Sequence, residues 1–99
     1  PRFAANNLSQ NLAKIAAVES IAREKGFKPG QVALAWLLAQ GDDIVPIPGT
    51  KRAERIDENV AAVNAVLSAD EVARLSSALP PGAAAGTRYP EAGMKGVYI

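Results

Sequence analysis

The residues best suited to chemistry lie between positions 49 and 59: Gly49-Thr50-Lys51-Arg52, then Arg55, then Glu58-Asn59. A short apolar run feeds a glycine turn, and the turn feeds the start of a helix with cations beside it. The first N–H groups of a helix have no partner within the helix, and its dipole is positive at that end, so the position favours an anion. Thr50 can cap the helix or donate to a phosphate, and Lys51 and Arg52 stand at the mouth. Arg55 is one turn on from both and Asn59 is four residues beyond Arg55, which puts them on one stripe. A guanidinium pairs with phosphate and stacks on a purine, and a carboxamide can bond an adenine edge in two places. Phosphate first and adenine next is the order expected for an adenosine 2′-phosphate. A second reading of the same residues is that the cations are solvated or paired with Glu54, Asp57 and Glu58 on the helix face. The Gly-Thr-Lys-Arg string is not a Walker loop, because the first glycine of that motif is missing at the required spacing.

Other chemistries are excluded by composition. The 99 residues contain no cysteine and no histidine, so this chain holds no disulfide, thiolate metal site, histidine ligand or histidine base. The formal charge of +1 provides no field for nucleic acid or an anionic membrane. With 48% apolar residues the chain is too hydrophobic for a disordered tail. No apolar run is long enough to cross a bilayer, and nothing reads as a signal peptide. A cytoplasmic setting is expected. The chain opens on Pro1-Arg2-Phe3 and its one methionine is Met94, as expected of a piece of a longer polypeptide.

The site needs elements to hold it. Leu8, Leu12, Ile15, Val18 and Ala22 recur at three and four residues, predicting one helix from about Leu8 to Lys25, with Gly26 as its stop. Phe27-Lys28-Pro29-Gly30 breaks the chain, and Pro29 suits the first position of a second helix. Val32 to Ala39 is apolar on all sides, the pattern of a helix buried all round. Gly41 and Asp42-Asp43 then lead to Ile44-Val45-Pro46-Ile47, whose length predicts a strand with a defect at Pro46. A lone strand leaves its N–H and C=O groups without neighbours. Both features imply that part of the fold lies outside this chain. A helix from about Arg52 to Val63 follows, with Ile56, Val60 and Val63 on its inner face. Ser68 and Glu71 form a capping box, stapled by Leu67 and Val72, for a helix that ends at Pro80-Pro81. The tail from Gly82 to Ile99, rich in Ala, Gly and Pro, reads as irregular.

Three motifs occur in order. They are Val32-Ala33-Leu34-Ala35-Trp36-Leu37-Leu38, then Ile44 through Arg52, then Glu58-Asn59. Together with the tail elements Pro80-Pro81-Gly82 and Arg88-Tyr89-Pro90, they resemble the C-terminal signature of the aldo-keto reductases, over nearly the whole chain. The resemblance implies an α/β fold: the C-terminal segment of a (β/α)8 TIM barrel, mostly helical, with Ile44–Ile47 as the eighth strand. Residues 1–79 would be the last helices and that strand, and residues 80–99 an irregular tail near the substrate mouth.

It also implies NADP(H) as cofactor, with Gly49, Thr50, Lys51 and Arg52 around the 2′-phosphate. Arg55 would pair with that phosphate or stack on the adenine, and Glu58 and Asn59 would fix the adenosine. A phosphate site after the late strands is a general habit of this barrel. Many members carry Lys-Ser where this chain has Gly49-Thr50, so the cation must come from Lys51 or Arg52. Lys28 stands where the family often has a threonine cap, a change expected to affect stability alone. The family's catalytic Asp, Tyr, Lys and His lie earlier in the barrel, and no residue here matches them. Tyr89 and Tyr98 lie in the tail. Arg88 and Tyr89 are candidates for the substrate side or, more simply, anchors of the tail, and Trp36 reads as packing.

The implied partners are a small carbonyl substrate and the remainder of the barrel, with no metal, nucleic acid or membrane. The implied activity is NADPH-dependent reduction of aldehydes and ketones by the whole protein, with this chain inactive alone. Two other readings stay open. One is a non-catalytic NADPH-binding relative, such as the channel-associated subunits on this scaffold, distinguished by the absence of a Tyr/Lys pair upstream. The other is a small helical interaction module, which would fold alone and bind no nucleotide. The apolar helix and the lone strand count against that module.

Overall fold

The computed structural model describes residues 1–97. Six α-helices and one 3-10 turn follow in order: α1 (Ala5–Lys14), α2 (Ala16–Lys25), α3 (Pro29–Leu38), α4 (Ala53–Ala61), the 3-10 turn (Ala62–Asn64), α5 (Ala69–Ala78) and α6 (Glu91–Met94).

The local signals act as their chemistry requires. Gly26 closes α2 in the left-handed conformation at φ 74°, and the Phe27 N–H bonds back to the Ala22 carbonyl at 3.0 Å. Glycine takes this conformation without the Cβ penalty. Pro29 occupies the first position of α3. At α5 the Glu71 N–H donates to Ser68 Oγ at 3.2 Å, and the Ser68 N–H donates to Glu71 Oε1 at 2.8 Å. These two bonds satisfy donors that the helix start leaves free.

The core is small. Val18, Ile21 and Ala22 from α2 meet Val32 of α3 and Leu75 of α5, with Phe27, Trp36 and Leu67 packed around them. Ile21 and Val32 are fully buried, and burying each side chain contributes about 1.5–3 kcal/mol. Two ion pairs flank the seam between α2 and α5: Lys25 with Glu71 at 2.9 Å and Arg74 with Glu24 at 3.3 Å.

Four expectations are corrected. The single first helix is two, because the ladder breaks at Ile15, whose N–H reaches back only to Leu12 O at 3.3 Å. The halves have different anchors. α2 is held by the core, whereas α1 buries no residue. Asn11 and Lys14 of α1 instead bond to tail carbonyls. Ile44–Ile47 is not a strand, and no strand occurs among the described residues. A strand exists by pairing, this chain has no second such segment, and Pro46 and Pro48 donate no N–H. α3 is buried on one face only, through Val32 and Ala35, while Leu37 and Leu38 are exposed. The helix expected from Arg52 to Val63 is α-helical only over Ala53–Ala61 and ends as a 3-10 turn, and Ile56, Val60 and Val63 are exposed.

With Ile44, Val45 and Ile47, these side chains form an apolar set that nothing among the described residues covers. A radius of gyration of 14.9 Å, against about 13 Å for a compact chain of this size, fits such an open arrangement.

The tail is more ordered than its composition suggests. Asn11 Oδ1 accepts from the Ala85 N–H at 2.6 Å, and Asn11 Nδ2 donates to the Ala85 carbonyl at 3.0 Å. Arg2 Nε donates to the Gly86 carbonyl at 3.3 Å, and Lys14 Nζ to that of Ala83. The tail backbone is thus strapped to α1, and the short helix α6 follows. Tyr98 lies outside the described residues.

Candidate functional site

The chain leaves α3 at Leu38 and crosses Ile44–Pro48 without regular structure. It enters α4 through Gly49-Thr50-Lys51-Arg52. Arg52 is the N-cap residue of α4 in an extended conformation, and no side chain caps the first turn. Thr50 does not act as the cap. Its hydroxyl accepts from the Arg52 N–H at 3.1 Å and donates to the Arg52 carbonyl at 3.3 Å, folding the loop onto itself. The first turn of α4 therefore keeps the open N–H groups and positive end that attract an anion.

An open cleft of about 660 Å³ lies at this helix start. Six of the seven expected residues line it: Gly49, Thr50, Lys51, Arg52, Arg55 and Asn59. Gly30, Ala33, Leu34 and Leu37 of α3 line it with Pro48 and supply an apolar side, against which a flat ring can lie. Lys51 and Arg52 enter no ion pair among the described residues. The pairing with Glu54 and Asp57 weighed above does not form there.

Glu58 is the exception, since it does not line the cleft. Its carboxylate lies between two cations, with Oε1 on Lys28 Nζ and Oε2 on Arg55 Nη1 at 3.0 Å. The Lys28 hydrogen bond is the main influence holding its pKa below the ordinary 4.5. Partial burial works the other way, and the Arg55 hydrogen bond and charge add to the lowering. Gln31 completes the group: its Nε2 donates to the Glu58 carbonyl at 2.9 Å, and its Oε1 accepts from the Lys28 N–H at 2.9 Å. Lys28 and Gln31 are part of the site's support; sequence reading gave Lys28 a role in stability alone and did not single out Gln31. Lys28 is 30 residues from Glu58, and no local pattern links the two.

The remaining candidates sit elsewhere. Trp36 packs against the core and donates from Nε1 to Ser76 Oγ at 3.1 Å, the packing role expected. The Arg88 guanidinium lies over the Tyr89 ring, 5.2 Å from its centroid, and Tyr89 is exposed. No group of three or more carboxylates that could hold a metal occurs among the described residues. No described helix is long and apolar enough to cross a membrane.

The sequence model of the Aldo/keto reductase family matches residues 1–80. The chain belongs to the aldo/keto reductase family. It is 45% identical over 90 residues to a Schizosaccharomyces pombe protein named aldo-keto reductase yakc, NADP(+), covering 91% of this chain and 26% of that protein. It is 42% identical over 89 residues to the probable aldo-keto reductase 1 of Glycine max, covering 90% of this chain and 26% of that one. The chain thus spans about a quarter of the length of these curated relatives. No solved structure matches it. The family implies a (β/α)8 barrel, of which the described residues supply helices and no strand.

Proposed function

We propose that the cleft at the start of α4 binds the adenosine 2′-phosphate of NADP(H) in a reductase of aldehydes and ketones. The observation that carries this reading is the convergence of Lys51, Arg52, Arg55 and Asn59 with the Gly49-Thr50 segment on one cleft at an uncapped helix start. Two unpaired cations and free N–H groups suit a dianionic phosphate. The Arg55 guanidinium suits the same phosphate, the apolar α3 side suits an adenine face, and Asn59 suits its edge. Glu58 acts one step back, holding Arg55 in place. The S. pombe relative carries NADP(+) in its name, which favours the phosphorylated dinucleotide.

In the complete barrel, Ile44–Ile47 pairs as the eighth strand. The exposed Ile44, Val45, Ile47, Ile56, Val60 and Val63 then face the rest of the polypeptide, and residues 80–99 lie near the substrate mouth. When bound, the cofactor supplies hydride to a carbonyl carbon. This segment contributes affinity and the choice of NADP over NAD, and the residues that move the proton lie outside it.

The test is Arg55→Met in the full-length protein, with NADPH and NADH affinities measured by fluorescence titration. NADPH affinity should fall by roughly tenfold or more, the scale of losing one charge-assisted phosphate contact, with NADH little changed. Equal losses for the two would sink the assignment.

A further inference from the structure

We propose that Lys28 is a positioning residue for the anion cleft: it takes one oxygen of the Glu58 carboxylate from the α3 side, leaving Arg55 with positive charge to present to a phosphate. The inference rests on the cofactor reading above and goes beyond it, since Lys28 does not line the cleft.

The argument begins with charge. Arg55 and Glu58 sit three apart on α4 with Nη1 and Oε2 at 3.0 Å. A simple pair of that kind is neutral and offers an incoming anion little attraction. Here the other oxygen, Oε1, is held by Lys28 Nζ, so two cations share one carboxylate and the group carries a net charge of +1. The carboxylate is also the most sheltered member, with its side chain 22% exposed against 63% for Lys28 and 51% for Arg55. Geometry adds to charge. Gln31 ties the Lys28 N–H to the Glu58 carbonyl through its two amide atoms, at 2.9 Å each. The first turn of α3 thereby fixes both the backbone and the carboxylate of Glu58. Among the described residues, Nη1 is the one guanidinium nitrogen of Arg55 in a hydrogen bond. The other nitrogens are available to a ligand.

The lowered pKa of Glu58, caused first by Lys28, keeps the carboxylate ionised and the arrangement intact at neutral pH. A role confined to stability would have Lys28 join α3 to α4 and do nothing further. The two roles differ in what they predict for a ligand with and without the 2′-phosphate.

The experiment uses the full-length protein and its Lys28→Met and Lys28→Arg variants. NADP+ and NAD+ are titrated by fluorescence at low and at high salt, with thermal unfolding alongside. The members of the ion-paired group are partly exposed, so the effect is modest and screened. K28M should weaken NADP+ by about two- to fivefold at low salt and leave NAD+ unchanged. K28R should restore the wild-type value, and the difference should shrink at high salt. If wild type prefers NADP+ but K28M weakens both dinucleotides equally, or neither, Lys28 is structural and this inference is overturned while the cofactor reading stands. If wild type binds the two dinucleotides alike, the cofactor reading fails and takes this inference with it.

Discussion

Gly86 is where the tail strap comes closest to the start of the chain, and replacing it with alanine tests the strap directly. Gly86 has φ 82°, and an added Cβ would stand 2.7 Å from Asn7 Nδ2 and 2.8 Å from the Pro1 carbonyl oxygen. Gly82 is a natural control: its φ is 80°, but an added Cβ meets nothing within 4 Å. Both alanines carry the left-handed backbone penalty, roughly 1–2 kcal/mol, partly offset by a less flexible unfolded chain. Only Gly86→Ala also forces the Pro1 carbonyl to retreat from 2.8 Å towards the ordinary contact range beginning at 3.4 Å. That carbonyl accepts from Asn7 Nδ2 at 2.8 Å and from the Ala4 N–H at 3.2 Å. Loosening two such exposed bonds costs about 0.5–1 kcal/mol each. Gly86→Ala should therefore cost about 1–2 kcal/mol more than Gly82→Ala. The core does not include the strap, so the loss should appear as local opening, with global unfolding little affected. Hydrogen exchange of the Ala85 amide, which Asn11 Oδ1 accepts at 2.6 Å, reads that opening, and it should be faster in Gly86→Ala. Equal exchange in the two variants would refute the close approach on which the reasoning depends.

Two predictions concern α5. Ser68→Ala removes the acceptor for the Glu71 N–H and should cost about 1 kcal/mol in a urea titration of the full-length protein. Glu71 has a pKa below its ordinary 4.5, first because it accepts from the Ser68 N–H and next because Lys25 is bonded to it. A depressed carboxylate contributes stability that is complete above its unfolded pKa and is lost as pH falls through the lower folded value. Stability should therefore decline as acid is added below about pH 4.5, and Glu71→Gln should flatten that part of the curve. Circular dichroism of both proteins across the range checks this, and parallel curves would show that Glu71 is not the titrating group.

Much of the local structure was legible because it depends on neighbours a few residues away. Gly26, Pro29 and the Ser68–Glu71 box each act over one turn, and each stands where its chemistry puts it. The gathering of Gly49 to Arg52 with Arg55 and Asn59 was legible for the same reason, since it needs only a loop and the helix after it. What escaped depended on distant parts of the chain. The Ile15 break separates a helix tied to the tail from one held by the core, and the Lys28–Glu58 link joins residues 30 apart. The expected strand and inward-facing apolar residues depend on partners that these residues do not contain. Hydrophobic spacing identified which side chains seek burial and could not tell whether this chain buries them.

The most direct test of the central claim is to compare adenosine 2′-phosphate with adenosine on the full-length wild-type protein, following amide exchange across residues 44–60. The account predicts clearly tighter binding of the phosphorylated nucleoside, with protection centred on Gly49 to Arg55 at the start of α4. Equal affinity, or protection that leaves this stretch unchanged, would contradict it.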